Sequence, residues 1–213
     1  GKSLKNSWDL PALRPGIGGA IDKIIGPGAT AAEKKLQFYP PLPFGAGVVC
    51  TGLYAGFAWS VWQYLIIALL AVDMAGGAVT NATSAAKRWY FRAGEGFRQH
   101  MSFVALHLFQ ITLFSWGFLG FDLLWIAGVY TVLMGFAALI LKAPLYLQRP
   151  VAAALFAAAL LFSLYVFEAP THLEWFLPLL FFKILVSHLL REEPYQPDIS
   201  AETGGEGLQR PDI

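Results

Sequence analysis

Asp73, Gly76, Gly77, Thr80, Asn81 and Ser84, followed by Lys87 and Arg88, recur at steps of three and four residues. On a helix that spacing makes a single stripe. The stripe continues a mostly apolar run, Val61 to Val72, of the kind that crosses a bilayer. A carboxylate and an amide in hydrocarbon are costly unless they face protein or water. Asp73 therefore reads as a functional group, because an unpartnered acid at midplane would be protonated or would pull its helix out of register. Gly76, Thr80 and Ser84 also have a plainer reading, close helix packing with hydroxyls bonded to a neighbouring helix. Asn81-Ala82-Thr83 matches a glycosylation sequon, but its expected place at the cytoplasmic end of a span makes the match incidental.

Further ionisable groups lie in later apolar blocks. Seven residues separate His100 from His107, so the two share a helix face at a distance of about 10 Å and cannot bind one metal ion together. His100 and His188 are expected at matching depth near the inner surface, as a shared metal or axial haem ligation would need. Lys183, Ser187 and Arg191 share one face of a last span, from which His188 is expected to point away. Lys183 has a stem long enough to snorkel to the headgroups instead. The candidate ligand-binding residues are thus Asp73, Thr80, Asn81, Ser84, His107 and Lys183, and the candidate metal ligands are His100 and His188. Glu168, His172 and Glu174 form an acidic group at the opposite surface, read either as a cation site or as a solvated loop.

The elements that must position these groups are transmembrane helices. The 213 residues are 56% hydrophobic and only 14% charged, with a mean hydropathy of +0.54. A soluble domain carries about 25% charge, and here the apolar residues come in long blocks with the charges between them. The expected fold is all-α, a polytopic integral membrane bundle of five or six spans at about 58–86, 101–119, 123–141, 151–167 and 173–190. Residues 44–57 are rich in glycine and read as interfacial, re-entrant or an extra span. Residues 1–43 read as an extramembrane arm with an amphipathic stretch from Ala31 to Phe38, stopped by Tyr39-Pro-Pro-Leu-Pro43. Residues 191–213 read as a disordered cytoplasmic tail.

Lysines and arginines set the orientation. Loops 87–98 and 142–149 hold Lys87, Arg88, Arg92, Arg98, Lys142 and Arg149, whereas the connections near Asp122 and 168–174 hold none. The basic loops and the C-terminus are expected in the cytoplasm. Five spans then leave Lys34 and Lys35 outside, a conflict that a sixth span removes. No apolar core of signal-peptide type occurs in Gly1–Phe38, so the spans are expected to direct insertion, and a bacterial inner membrane is the expected location.

The lone Cys50 and the lack of any CxxC pair exclude dithiol and zinc-ribbon chemistry. A net charge of +1 gives no field for nucleic acid. Nucleophile elbows, P-loops, HExxH and dinucleotide fingerprints are absent from the sequence, which leaves the cofactor unknown. Three function classes remain. The first is binding or translocation of a polar or anionic small ligand or ion along the stripe. The second is a non-catalytic subunit of a larger complex or homo-oligomer, the stripe being an interhelical seam and the 17 phenylalanines needing cover. The third is an enzyme acting on a lipid or isoprenoid, with His107 or Asp73 as general base and a metal held by His100 and His188.

Overall fold

The structure, a computed structural model, describes residues 4–198 and is mostly helical. Among the described residues four helices are long and apolar enough to cross a membrane: Val61–Ala82, Phe97–Phe118, Leu123–Lys142 and Leu145–Tyr165. The first is α4; the second is interrupted at Leu106-His107 into α6 (Phe97–Ala105) and α7 (Leu108–Phe118). The third and fourth are α8 and α9. Two of these start at a side-chain cap. Ser60 and Gln63 form a reciprocal capping box on α4, and the Asp122 carboxylate accepts from the Trp125 N–H to start α8.

Five or six spans were expected, and the remaining helical stretches are shorter. In the N-terminal arm α1 (Ile17–Ile25) is followed by α2 (Ala31–Phe38) and α3 (Pro41–Tyr54). The proline cluster does not stop the chain's helical course. Tyr39 and Pro40 keep right-handed helical angles, and Pro41 takes the first position of α3, where its missing N–H costs nothing. Together α2 and α3 run antiparallel to α4, from Glu33 bonded to the Ala85 N–H at one end to Gly52 against Trp59 at the other. Glycine makes that contact possible: a Cβ on Gly45 would lie 2.8 Å from Val72 Cγ2, and one on Gly52 2.8 Å from Trp59. The glycine-rich stretch is thus a close-packed helix beside α4.

The last apolar block is likewise not one regular helix. It comprises α10 (Phe176–Phe181) and a π-helical segment, Phe182–His188, whose winding is marked by the Leu189 N–H bonding Ile184 O at 3.0 Å. The expected span 58–86 is broken at Thr83, whose extended backbone ends α4 and whose hydroxyl caps α5 (Ser84–Tyr90). α4 is the hub, touching α2, α3, α7, α10 and the π-helical segment.

The helix ends sort onto two faces. One gathers Phe57–Ser60, Leu119–Asp122 and 167–175, joined by Gln63 Nε2 donating to Gly117 O at 2.8 Å and by the Phe57–His172 ring contact. The other gathers 83–96, the turn at Ala143-Pro144 and residues 189–197. Here β1 (Leu4–Asn6) pairs antiparallel with β2 (Tyr195–Pro197). Trp8 and Asn6 bond Glu193, Arg191 stacks on Trp8, and buried Arg88 donates to Ser7 O at 2.9 Å. The Lys87 ammonium donates to Ser187 O at the end of the π-helical segment, where a cation complements the helix dipole. Burial pushes the Lys87 pKa down to about 8.

Both described ends of the chain therefore lie on one face. The part of the tail from 199 onward, read as disordered, lies outside the described residues. Lys5 and Gln196 are direct strand partners, so Lys5→Cys with Gln196→Cys in a Cys50→Ser background should cross-link on mild oxidation. Mobility on a non-reducing gel reads the result; a pair that stays reduced while the protein remains folded contradicts the arm–tail pairing.

Candidate functional site

The stripe on α4 faces a cavity of about 490 Å³. Asp73, Thr80, Asn81, His107 and Lys183, all expected ligand-binding residues, line it, and so do Gly76 and Gly77. Ser84 does not, because the break at Thr83 turns the chain into α5 and takes it off the stripe. The other walls come from α1, α2, α3, Tyr90, Phe103, Leu106 and Gln110.

At the floor, Lys183 Nζ stands 3.0 Å from Asp73 Oδ1, and Gln110 Nε2 donates to Asp73 Oδ2 at 3.0 Å. Both carboxylate oxygens are thus engaged by donors. The two partners differ in exposure: 6% of the Lys183 side chain is accessible, against 41% for Asp73. The cavity meets the acid, with the cation behind it. Gly77 makes the pair possible. The Lys183 stem crosses α4 at this position, and a Cβ on Gly77 would lie 2.2 Å from Lys183 Cε. Lys183 therefore turns inward to an acid rather than snorkelling to the surface.

His188 also departs from expectation. Five α-helical residues carry a side chain roughly 140° round the axis, which would set His188 away from Lys183. In a π-helix five residues complete about one turn, so both side chains reach α4. His188 Nδ1 lies 2.9 Å from Asn81 Oδ1, and Asn81 Nδ2 donates to Gly77 O at 2.8 Å. The carbonyl fixes which way the Asn81 amide points, so its oxygen accepts from His188 Nδ1–H. His188 Nε2 is then an acceptor, 3.3 Å from His100 Nδ1, which must donate. Each proton in this row is placed by its neighbour. Phe103 stacks on the His188 ring with centroids 3.8 Å apart, and Tyr90 meets it edge-on.

The nitrogens that a shared metal would join are thus hydrogen-bonded to each other. Among the described residues no group of three or more His, Cys, Asp or Glu is disposed to hold a metal ion, and structural zinc sites take four ligands.

His107 occupies the break between α6 and α7. Its Nδ1 lies 2.9 Å from Phe103 O, a pure acceptor, so Nδ1 carries the proton and Nε2 keeps a lone pair. His107 Nε2, Gln110 Oε1 and Gln37 Nε2 are buried without a partner among the described residues. Gln37 Oε1 is already used, accepting from Thr80 Oγ1 at 3.3 Å. Both glutamines escaped the sequence reading. Gln110 left a signal, since it is the one amide in the apolar stretch Leu108–Phe118 and stands three residues from His107. Gln37 left none, being one polar residue among several in the arm.

Toward the face bearing Asp122, the cavity ends on packed core. Ile67, Leu70, Phe114, Phe176 and Leu177 are buried there, and Phe114 and Phe176 stack with centroids 4.2 Å apart. The acidic group Glu168, His172 and Glu174 lies on that face, apart from the cavity.

Gly76 and Gly77 provide a matched test. A Cβ on Gly76 would meet Pro41 at an ordinary 3.5 Å. Gly76→Ala should leave thermal stability in detergent nearly unchanged, whereas Gly77→Ala should cost roughly 2–4 kcal/mol by forcing Lys183 off its partner. Equal effects of the two would contradict the geometry described. Comparison with protein-family models, curated proteins and solved structures finds no match to this chain.

Proposed function

We propose that this chain is a multi-pass membrane protein that binds a polar small ligand in the cavity between α4, α6–α7 and the N-terminal arm. What carries the proposal is the convergence of three buried, unpartnered polar atoms on one cavity whose floor is a carboxylate. Burying such atoms without partners costs about 1–3 kcal/mol each. A ligand that supplies the partners recovers that cost on binding. The packed layer around Phe114 and Phe176 supports binding from one side rather than an open channel. Translocation would require this layer to part.

The cavity lies in the half of the bundle that carries Lys87, Arg88, Arg92, Lys142 and Arg149. We assign that half to the cytoplasm on the positive-inside rule. With both described termini on one face, the number of passes is even, and we count six by including the α2–α3 pair and the α10–π pair. Lys34 and Lys35 then fall on the same side as the other cations. The surrounding bilayer is the partner this assignment implies.

His107→Leu tests the proposal directly. It removes an unpartnered buried nitrogen, and with it the Nδ1–H donor to Phe103 O, without disturbing the Asp73–Lys183 pair, so stability should fall by no more than about 1–2 kcal/mol. Mass spectrometry of solvent extracts from the purified protein should find a compound held near one per chain by the wild type and depleted about tenfold in the variant. Identical extracts from the two proteins would contradict a ligand site at His107.

A further inference from the structure

We infer that the ligand is an uncharged, hydroxyl-bearing lipid of the acylglycerol class, entering sideways from the bilayer with its chain left in the cavity mouth. This rests on the binding reading above and specifies the molecule by the chemistry of floor and rim.

The rim is apolar and open. Ile24, Phe38, Leu42 and Leu106 all line the cavity, yet are 64%, 52%, 59% and 72% exposed. They come from three stretches of chain: α1, the α2–α3 junction that holds both Phe38 and Leu42, and the break between α6 and α7. Leu42 adjoins Pro41, which packs on Gly76 of α4, and Leu106 lies inside the apolar helix Phe97–Phe118. The opening is therefore level with the hydrocarbon region. A water-soluble ligand would have to cross that apolar rim, whereas a lipid already lies against it and keeps its chain in apolar surroundings.

The floor selects the head. Its accessible charged group is the Asp73 carboxylate, already neutralised from behind by Lys183. A phosphate or carboxylate head would meet an acid first and gain little from a cation that is 6% accessible and already paired with that acid. A quaternary ammonium has no hydrogen to donate. The lone pair on His107 Nε2, the free Gln110 Oε1 and the open side of Asp73 all accept hydrogen bonds. Hydroxyl groups supply those donors. Gln37 Nε2, the one unpartnered donor of the set, suits an ester carbonyl adjacent to the hydroxyls. Hydroxyls with a neighbouring ester on a hydrocarbon chain describe an acylglycerol.

The test uses the full chain in phosphatidylcholine nanodiscs with a monoacylglycerol carrying a diazirine in its acyl chain. Photolabelling should map to the peptides containing Phe38, Leu42 and Leu106. Excess 1-oleoylglycerol should reduce it at least fivefold, and 1-oleoyl lysophosphatidic acid should not. Leu106→Trp, at an exposed position that leaves the core intact, should block the mouth and lower labelling about tenfold. Equal competition by the phosphate lipid would overturn the head assignment, and labelling spread evenly over the lipid-facing helices would overturn the site. If labelling is absent while wild-type extracts still hold a compound that His107→Leu loses, the ligand is not a lipid and only this inference falls. If extracts and labelling both fail, the binding reading falls with it.

Discussion

An ammonium and a carboxylate meeting inside the bundle impose the constraint that most of the surrounding structure serves. Neither Lys183 nor Asp73 belongs in hydrocarbon alone, and joining them requires the last helical segment to pack against α4. Gly77 gives the Lys183 stem its passage, and Gln110 occupies the second carboxylate oxygen. The arrangement leaves the acid facing the cavity and the cation buried behind it. Such a pair is weak evidence of stability, since desolvation offsets much of the attraction. Its value lies in fixing the relation of three helices around a polar floor.

The row His100–His188–Asn81 does related work one level nearer the basic face. Each bond in it sets the tautomer of the next ring, ending on the Gly77 carbonyl. Asn81 cannot pass a proton on without losing its amide form, so the row positions groups and does not conduct protons. It holds the π-helical segment against α4, and π-helical turns concentrate at functional sites because they re-aim side chains that an α-helix would separate. Here Lys183 and His188 are the side chains re-aimed. Small and polar residues on α4 thus do more than let helices approach: they receive particular side chains from the neighbouring segment.

Much of this was legible from residue order alone. Apolar blocks with charges confined between them specify a helical membrane bundle, and the three-and-four spacing from Asp73 to Asn81 picks out the face that lines the cavity. Positions where local preference and tertiary demand disagree were not legible. Tyr39-Pro40-Pro41 reads as a stop, yet the helical course resumes because Pro41 falls at a helix start. The expected separation of His188 from Lys183 assumed α-helical winding, and the residue spacing of 182–188 gives no sign of the π-winding found there. Ser84 belongs to the stripe by spacing, but the Thr83 cap removes it. Gln37 and Gln110 are single amides whose meaning appears only when α2 and α7 meet α4 around one cavity.

The most direct measurement is a double-mutant cycle on Asp73→Asn and Lys183→Met, read as unfolding free energy in detergent. The account predicts coupling of about 2 kcal/mol or more, with the double variant no less stable than the worse single variant. Effects that add to within about 0.5 kcal/mol would mean the two groups do not depend on each other, and would contradict the site built on them.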